Sequence, residues 1–176
     1  FGVDDVGIVQ MPSPLGQPAI QLARTNQPDS DAAGRLSAVA GWGILGPGGN
    51  APTFLQKTYV PVRTKAQCQS NYPAPPAQYD HIANICAGYA QGEGNQATGS
   101  CKGDSGSALM SHDRHGMTQI GIVSYGVGDC TSLQNHGVYM RVDHYRAGLA
   151  EHLASFRNPL PGAPAAKRCL GFKATH

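Results

Sequence analysis

Long apolar runs are missing from this chain. None approaches the 18 residues that a membrane-spanning helix needs. Basic runs and interleaved aromatic and basic residues are missing too. The 13 Lys and Arg nearly balance the 11 Asp and Glu, for a net charge of +2, so nothing favours a nucleic-acid partner. The seven histidines (His81, His112, His115, His136, His144, His152 and His176) include no pair at a metal-site spacing backed by a third ligand, which argues against zinc. Most of them read as solvated surface or loop residues. His112 and His115 flank an expected hairpin turn at Asp113-Arg114. No internal repeat is visible. Helical periodicity is scarce: only Leu149, Leu153 and Phe156, at i, i+4 and i+7, mark a convincing amphipathic helix.

Glycine is what the chain has in excess, 23 residues of 176, together with 13 prolines. These residues cluster between short apolar runs, as in Gly46-Pro47-Gly48-Gly49. Ile120-Gly121-Ile122-Val123 and Val138-Tyr139-Met140 are β-branched or aromatic-rich. Many short strands separated by Gly/Pro turns predict an all-β barrel or sandwich. Residues 10–35, rich in Pro, Gln and Ala, read as a connection. Residues 158–166 carry three prolines and no period, and read as a tail laid on the surface or left loose. Five cysteines in a loop-rich chain imply a disulfide framework whose pairing the residues alone leave open.

The stretch Cys101-Lys102-Gly103-Asp104-Ser105-Gly106-Ser107 carries the chemistry. Small neighbours leave the Ser105 hydroxyl accessible. Glycine lets the backbone turn so that the N–H groups of Gly103 and Ser105 converge, as an oxyanion hole requires. A plain Gly/Asp/Ser turn would have the same residues, so the motif is weak on its own.

Its surroundings make it specific. The stretch resembles the active-serine motif of chymotrypsin/trypsin-like serine proteases, and other segments match that family in order. Asp4-Asp5-Val6-Gly7-Ile8-Val9-Gln10-Met11 resembles the strand that follows the triad aspartate. Val39-Ala40-Gly41-Trp42-Gly43 resembles an early strand of the second barrel. Cys68-Gln69-Ser70-Asn71-Tyr72 and Asn84-Ile85-Cys86-Ala87-Gly88 resemble its short helix and next strand. Ile122-Val123-Ser124-Tyr125-Gly126 resembles the edge that holds substrate, and Gly137-Val138-Tyr139-Met140-Arg141-Val142 the last strand. The likeness runs from about residue 4 to residue 156.

The resemblance implies a second six-stranded antiparallel Greek-key barrel of a double-barrel fold, the tail of the first barrel, and a C-terminal helix over residues 145–156. Residues 1–35 would be the end of the first barrel and the connection, 36–157 the second barrel and helix, and 158–176 a C-terminal extension. It implies a secreted serine endopeptidase acting on protein or peptide substrates through an acyl-enzyme, with no cofactor, metal, nucleic acid or membrane. Ser105 would be the nucleophile and Asp5, rather than Asp4, the triad aspartate. Gly103 and Ser105 would form the oxyanion hole, and Asp104 the activation salt bridge to a new N-terminal ammonium. The triad histidine precedes the aspartate in this family. The chain is therefore expected to be a C-terminal piece, active only with an N-terminal part that supplies the histidine. Alone it would leave the residue 4–11 strand unpaired.

The same resemblance pairs Cys68 with Cys86 and Cys101 with Cys130. A further family bridge would join the positions of Ser37 and Ser111. Cys169 is left to pair with the N-terminal part, with another molecule, or with nothing. The specificity slot would have Gly99 at its floor and Gly126 and Gly137 as walls, with Ser124 and Tyr125 beside the substrate backbone. An uncharged floor suits a large apolar or aromatic P1 side chain. The loop over residues 87–100 is longer than usual and carries Glu93, an acid that could enter the slot from a new direction. Ser107 and Ala108 replace the family's Gly-Pro, and Tyr125 its tryptophan. Two alternatives stay open: a non-catalytic protease homologue serving as a binding or regulatory module, and a cysteine-stapled structural domain.

Overall fold

The computed structural model describes residues 4–9, 11, 16–25, 31–75, 77–90, 93, 98–113, 116–126, 128, 130–131, 136–157 and 169–171, the last three and 155–157 by backbone alone. In chain order the elements are β1 (Gly7–Val9), β2 (Gln21–Leu22), β3 (Leu36–Gly41), β4 (Gln56–Pro61), α1 (Lys65–Asn71), β5 (Asn84–Ala87), β6 (Ala108–Asp113), β7 (Gly116–Tyr125), β8 (Gly137–Arg141), α2 (Val142–Arg157) and β9 (Cys169–Gly171).

Six strands form an antiparallel sheet in the order β4-β3-β6-β7-β8-β5. The sheet closes on itself. Val62, just past β4, bridges Ala87 at the end of β5. Two backbone bonds flank the seam, Arg63 N–H to Cys86 O at 2.9 Å and Gly88 N–H to Pro61 O at 3.0 Å. Closure leaves the barrel without an open strand edge. It is the six-stranded barrel that the family resemblance implies, and of the barrel or sandwich that the Gly/Pro-punctuated strands predict it is the barrel. The inside is filled by alternate residues, among them Val39, Val60, Val62, Ile85, Leu109, Ile120, Val123 and Tyr139. Gly121 is required there: a Cβ on it would lie 2.9 Å from the Tyr139 Cβ and 3.3 Å from the Leu109 Cβ.

Outside the barrel wall a second cluster packs Cys68, Tyr72, Tyr79, Cys86 and Val138. It seats α1, whose start is a capping box: Thr64 accepts from the Gln67 N–H, and the Gln67 side chain accepts from the Thr64 N–H. The bridges Cys68–Cys86 and Cys101–Cys130 are both formed, with Cα atoms 6.0 and 5.2 Å apart. Ser37 and Ser111 face each other in register across β3 and β6, fully buried, and neither hydroxyl has a hydrogen-bond partner among the described residues.

Several expectations are corrected. The residue 4–11 strand is not left unpaired: β1 runs antiparallel to β9, with Gly7 opposite Gly171 and Val9 opposite Cys169. The tail thus satisfies backbone groups that an isolated strand would expose. Asp113, expected in a turn, is the last paired residue of β6, opposite Gly116, while Arg114 and His115 lie outside the described residues. Helix α2 begins earlier, at Val142, and docks by its first half. Val142 is buried, and Arg146 Nη1 donates to the carbonyls of Leu22 (3.0 Å) and Ala23 (3.4 Å). Leu153, expected on the buried face, is 53% exposed, whereas the seated residues Val142 and Arg146 both lie in the first half of the helix. Residues 158–166 lie outside the described residues.

Candidate active site

Ser105 is exposed on the loop between Cys101 and β6. Two successive turns shape that loop: Asp104 N–H donates to Cys101 O at 3.0 Å and Ser107 N–H to Asp104 O at 2.9 Å. Gly103 and Gly106 have φ of +96° and +85°, a backbone region that side chains rarely tolerate. Among the described residues, no hydrogen bond takes the N–H of Gly103 or of Ser105.

The loop is stitched to β7 at one residue. Gly106 N–H donates to Val123 O at 2.8 Å, and Val123 N–H donates to Ser107 O at 2.9 Å. The next residue, Ser124, donates its hydroxyl to Asp5 Oδ2 at 2.6 Å. Residues 123–124 therefore hold the Ser105 loop with their backbone and Asp5 with a side chain. Asp4 goes elsewhere. It sits at φ +53° and accepts the Tyr145 hydroxyl at 3.0 Å. Ser124 as the anchor of Asp5 was missed from the sequence, because the two residues are 119 positions apart and nothing local couples them.

Asp104 is buried beneath the Gly41-Trp42-Gly43 segment. Its Oδ1 accepts the Gly43 N–H and its Oδ2 the Cys101 N–H, each at 2.8 Å. This explains the two glycines around Trp42. A Cβ on Gly41 would lie 2.0 Å from Asp104 Oδ1, and one on Gly43 2.6 Å from the carboxyl carbon. The carboxylate lines a cleft of about 240 Å³, together with Val39, Gly41, Thr98, Gly99 and the Cys101–Cys130 bridge. Both oxygens are hydrogen-bonded, as a buried carboxylate requires.

The expected slot residues fall on two sides. Gly99 lines the cleft toward Asp104, and a Cβ there would meet nothing within 4 Å. Its neighbour Ser100 is the one that meets the other wall. A Cβ on Gly137 would be 3.1 Å from both Ser100 Oγ and the Tyr139 hydroxyl, which are themselves 3.3 Å apart. Burial pushes the Tyr139 phenol up to about 12, so it stays a neutral hydroxyl. Tyr72 reaches between the walls: its hydroxyl donates to His136 O and lies 4.0 Å from the Cβ position of Gly126. The Tyr72 ring meets Tyr125 edge-on at 5.7 Å, and the Tyr125 hydroxyl donates to Gln78 O at 3.0 Å. Ser100 was missed because its partner lies 39 positions on.

His136 also departs from expectation. It is buried, its Nδ1 lies 2.9 Å from Asn71 Nδ2, and burial holds its pKa below the ordinary value. Packing beside Gly88 and Tyr72 removes it from solvent. Glu93 is held by Arg63, whose Nη1 donates to Oε1 at 2.8 Å. Among the described residues, no histidine contacts Ser105 or Asp5 and no group of three or more His, Cys, Asp or Glu could hold a metal ion.

A family model described as Trypsin matches residues 2–148. The chain is 34% identical over 154 residues to a trypsin of Xenopus laevis, covering 86% of this chain and 58% of that protein. It is 33% identical over 160 residues to the vitellin-degrading protease of Bombyx mori (88% and 55%) and 35% identical over 153 residues to coagulation factor XII of Bos taurus (85% and 24%). The chain therefore spans somewhat more than half the length of the first two of these relatives. A closed six-stranded antiparallel barrel, two bridged cysteine pairs and a family match over most of its length establish that the chain belongs to the trypsin family of serine proteases.

Proposed function

We propose that this chain carries the nucleophile and the oriented aspartate of a serine endopeptidase. A histidine from an N-terminal part of the same protease completes the site. That histidine takes the Ser105 proton as Oγ attacks the substrate carbonyl. The oxyanion forms against the N–H groups of Gly103 and Ser105, and the proton passes to the leaving amine. Water then cleaves the acyl-Ser105 ester. Asp5 orients the imidazole and stabilises its charged form. Asp104 receives a buried N-terminal ammonium at the cleft it lines, which adds a charge partner to its two backbone bonds.

The observation that carries this reading is the shared anchor at the end of β7. Val123 stitches the Ser105 loop, and Ser124 holds Asp5 at 2.6 Å. A structural turn would not need an acid brought to it from 100 positions away. Residues 124–126 would flank the substrate backbone. The uncharged Gly99, Gly126 and Gly137 favour an apolar or aromatic P1 side chain, since with Asp104 paired to the N-terminal ammonium a cationic one would be buried without a counterion. The two disulfides fit a secreted protein. The layout that goes with this reading has residues 1–35 ending a first barrel and bridging to the second, 36–157 forming the second barrel and helix, and 158–176 extending beyond it.

The test is pre-steady-state hydrolysis of a phenylalanine p-nitrophenyl ester by the complete protease. An initial burst of about one nitrophenol per molecule, abolished by Ser105→Ala, supports the acyl-enzyme. A folded complete protein without burst or turnover contradicts it and favours a non-catalytic homologue.

A further inference from the structure

His136 immediately precedes Gly137, the first residue of β8 and one expected wall of the specificity slot. It is 4% exposed and is held at three places. Its carbonyl accepts the Tyr72 hydroxyl, which lies 4.0 Å from the Cβ position of Gly126, the other expected wall. Its Nδ1 lies 2.9 Å from Asn71 Nδ2. Its ring lies on Gly88, where a Cβ would be 3.1 Å from His136 Cα and 3.3 Å from Cδ2. The end of α1 and the residue after β5 thus fix the backbone and the ring of His136 together. The Cβ position of Gly137 is already 3.1 Å from Ser100 Oγ, so a small displacement of residue 136 alters the slot.

A neutral imidazole has one donor and one acceptor, and a charged one has two donors. The Asn71 amide meets Nδ1. Nε2 is buried and has no hydrogen-bond partner among the described residues. The nearby carbonyl of Gly88 already takes Arg63 Nε. A charged ring seated here would therefore carry a buried N–H without an acceptor. Two charged groups act on the ring from the seam side: Arg63 disfavours its protonation and Glu93 favours it. They are paired with each other, Arg63 Nη1 donating to Glu93 Oε1 at 2.8 Å, so their effects oppose. From α1 the facing groups are the Asn71 amide and the Tyr72 hydroxyl, and on β8 the nearest titratable residue in sequence is Tyr139, a neutral phenol. Burial decides the balance and favours the neutral ring.

We propose that His136 is a positioning residue for specificity: its neutral ring, seated on Asn71 and Gly88, holds Gly137 at the wall of the slot, and protonation unseats the ring and loosens the slot for an aromatic P1 side chain. The endopeptidase reading enters only through what occupies the slot. Because the fold favours the neutral ring, the folded protein takes up this proton below the ordinary 6.5. The slot should be tight above that value and loosen as pH falls past the lowered one.

The test has two arms. Indole, an uncharged aromatic about the size of a P1 side chain, is titrated into the complete protease. Its Kd should rise about threefold or more between about pH 8 and about pH 5 in the wild type, and change by less than about 1.5-fold in His136→Gln, which cannot take the charge. In parallel, the His136 ring is titrated by NMR in the wild-type chain and in Asn71→Asp. The wild-type midpoint should lie below 6.5, and a carboxylate at Nδ1 should raise it by about one pH unit or more. A wild-type midpoint at or above 6.5, or equal midpoints in the two proteins, overturns the seating of the ring. Absent indole binding at about pH 8, an affinity that does not change with pH, or an equal change in His136→Gln overturns the role in the slot. A complete protease that binds indole with the expected pH dependence but turns over no ester leaves His136 as the slot's positioning residue and sinks the endopeptidase reading alone.

Discussion

The Ser124 hydroxyl donates to Asp5 Oδ2 at 2.6 Å, joining the end of β7 to the loop that precedes β1. One residue earlier, Val123 carries the backbone bonds that hold the Ser105 loop. The position of Asp5 relative to Ser105 is thus set through two adjacent residues of a barrel strand, a stiffer support than a loop would give.

Asp4 and Asp5 are neighbours with different partners, and this separates their mutants. In the complete protease, Asp5→Asn should lower kcat by about four orders of magnitude, through the wrong histidine tautomer. Asp4→Asn should change kcat by no more than a few fold, because it disturbs only the Tyr145 hydroxyl bond. Steady-state kinetics on one ester substrate decide between them. The reverse pattern would place the triad aspartate at Asp4.

Cleavage should follow Phe, Tyr or Leu rather than Lys or Arg, which a peptide-library profile would reveal. Gly137→Ala should raise KM for aromatic P1 substrates by about tenfold or more, since its Cβ would press on Ser100 Oγ and the Tyr139 hydroxyl at 3.1 Å. Gly99→Asp should move preference toward Lys and Arg, and its Cβ has open space. A wild-type profile already dominated by Arg would contradict the uncharged-slot reading.

Ser37 and Ser111 occupy facing, buried positions, and among the described residues their hydroxyls have no partner. A Ser37→Cys/Ser111→Cys double variant should oxidise and close a loop of about 75 residues, adding about 2–4 kcal/mol. Urea unfolding with and without reductant measures this. No difference between the oxidised and reduced forms would mean that the paired positions cannot reach each other.

The fork from Arg63 holds the Glu93 carboxyl at about 2, well below its ordinary 4.5. A carboxylate with a depressed folded pKa contributes fully above its unfolded value and loses that contribution as pH falls toward the folded one. The Arg63–Glu93 ion pair should therefore hold above pH 4.5 and open between 4.5 and about 2, releasing the Ala90 N–H. Ala90 amide exchange against pH, corrected for its intrinsic rate, reports the opening. A midpoint near 4.5 would show that Arg63 does not hold the carboxylate.

What the sequence told depended on range. Bridged cysteines, a glycine-flanked serine and β-branched runs bounded by glycine are local patterns, so the barrel and its two disulfides could be read from family motifs lying in order. The meaning of the Gly-Trp-Gly segment was only half visible. That it packs over a carboxylate 61 positions away needs the fold. Arg63 with Glu93, Ser100 with Tyr139 and Ser124 with Asp5 are all long-range side-chain pairs for which no spacing rule exists. Leu153 misled because an apolar helical stripe says which face is greasy, not how much of it is covered. His136 misled because a histidine in a loop reads as solvated until the elements around it close.

The central claim is that Ser105 is an activated nucleophile oriented through Asp5. It is tested most directly by treating the complete protease with a fluorophosphonate probe and mapping the adduct by mass spectrometry. The account predicts one phosphonylated residue, Ser105, with the labelling rate lowered by at least about a hundredfold in Asp5→Asn. Labelling at another serine, or equal rates in the wild type and Asp5→Asn, would contradict it.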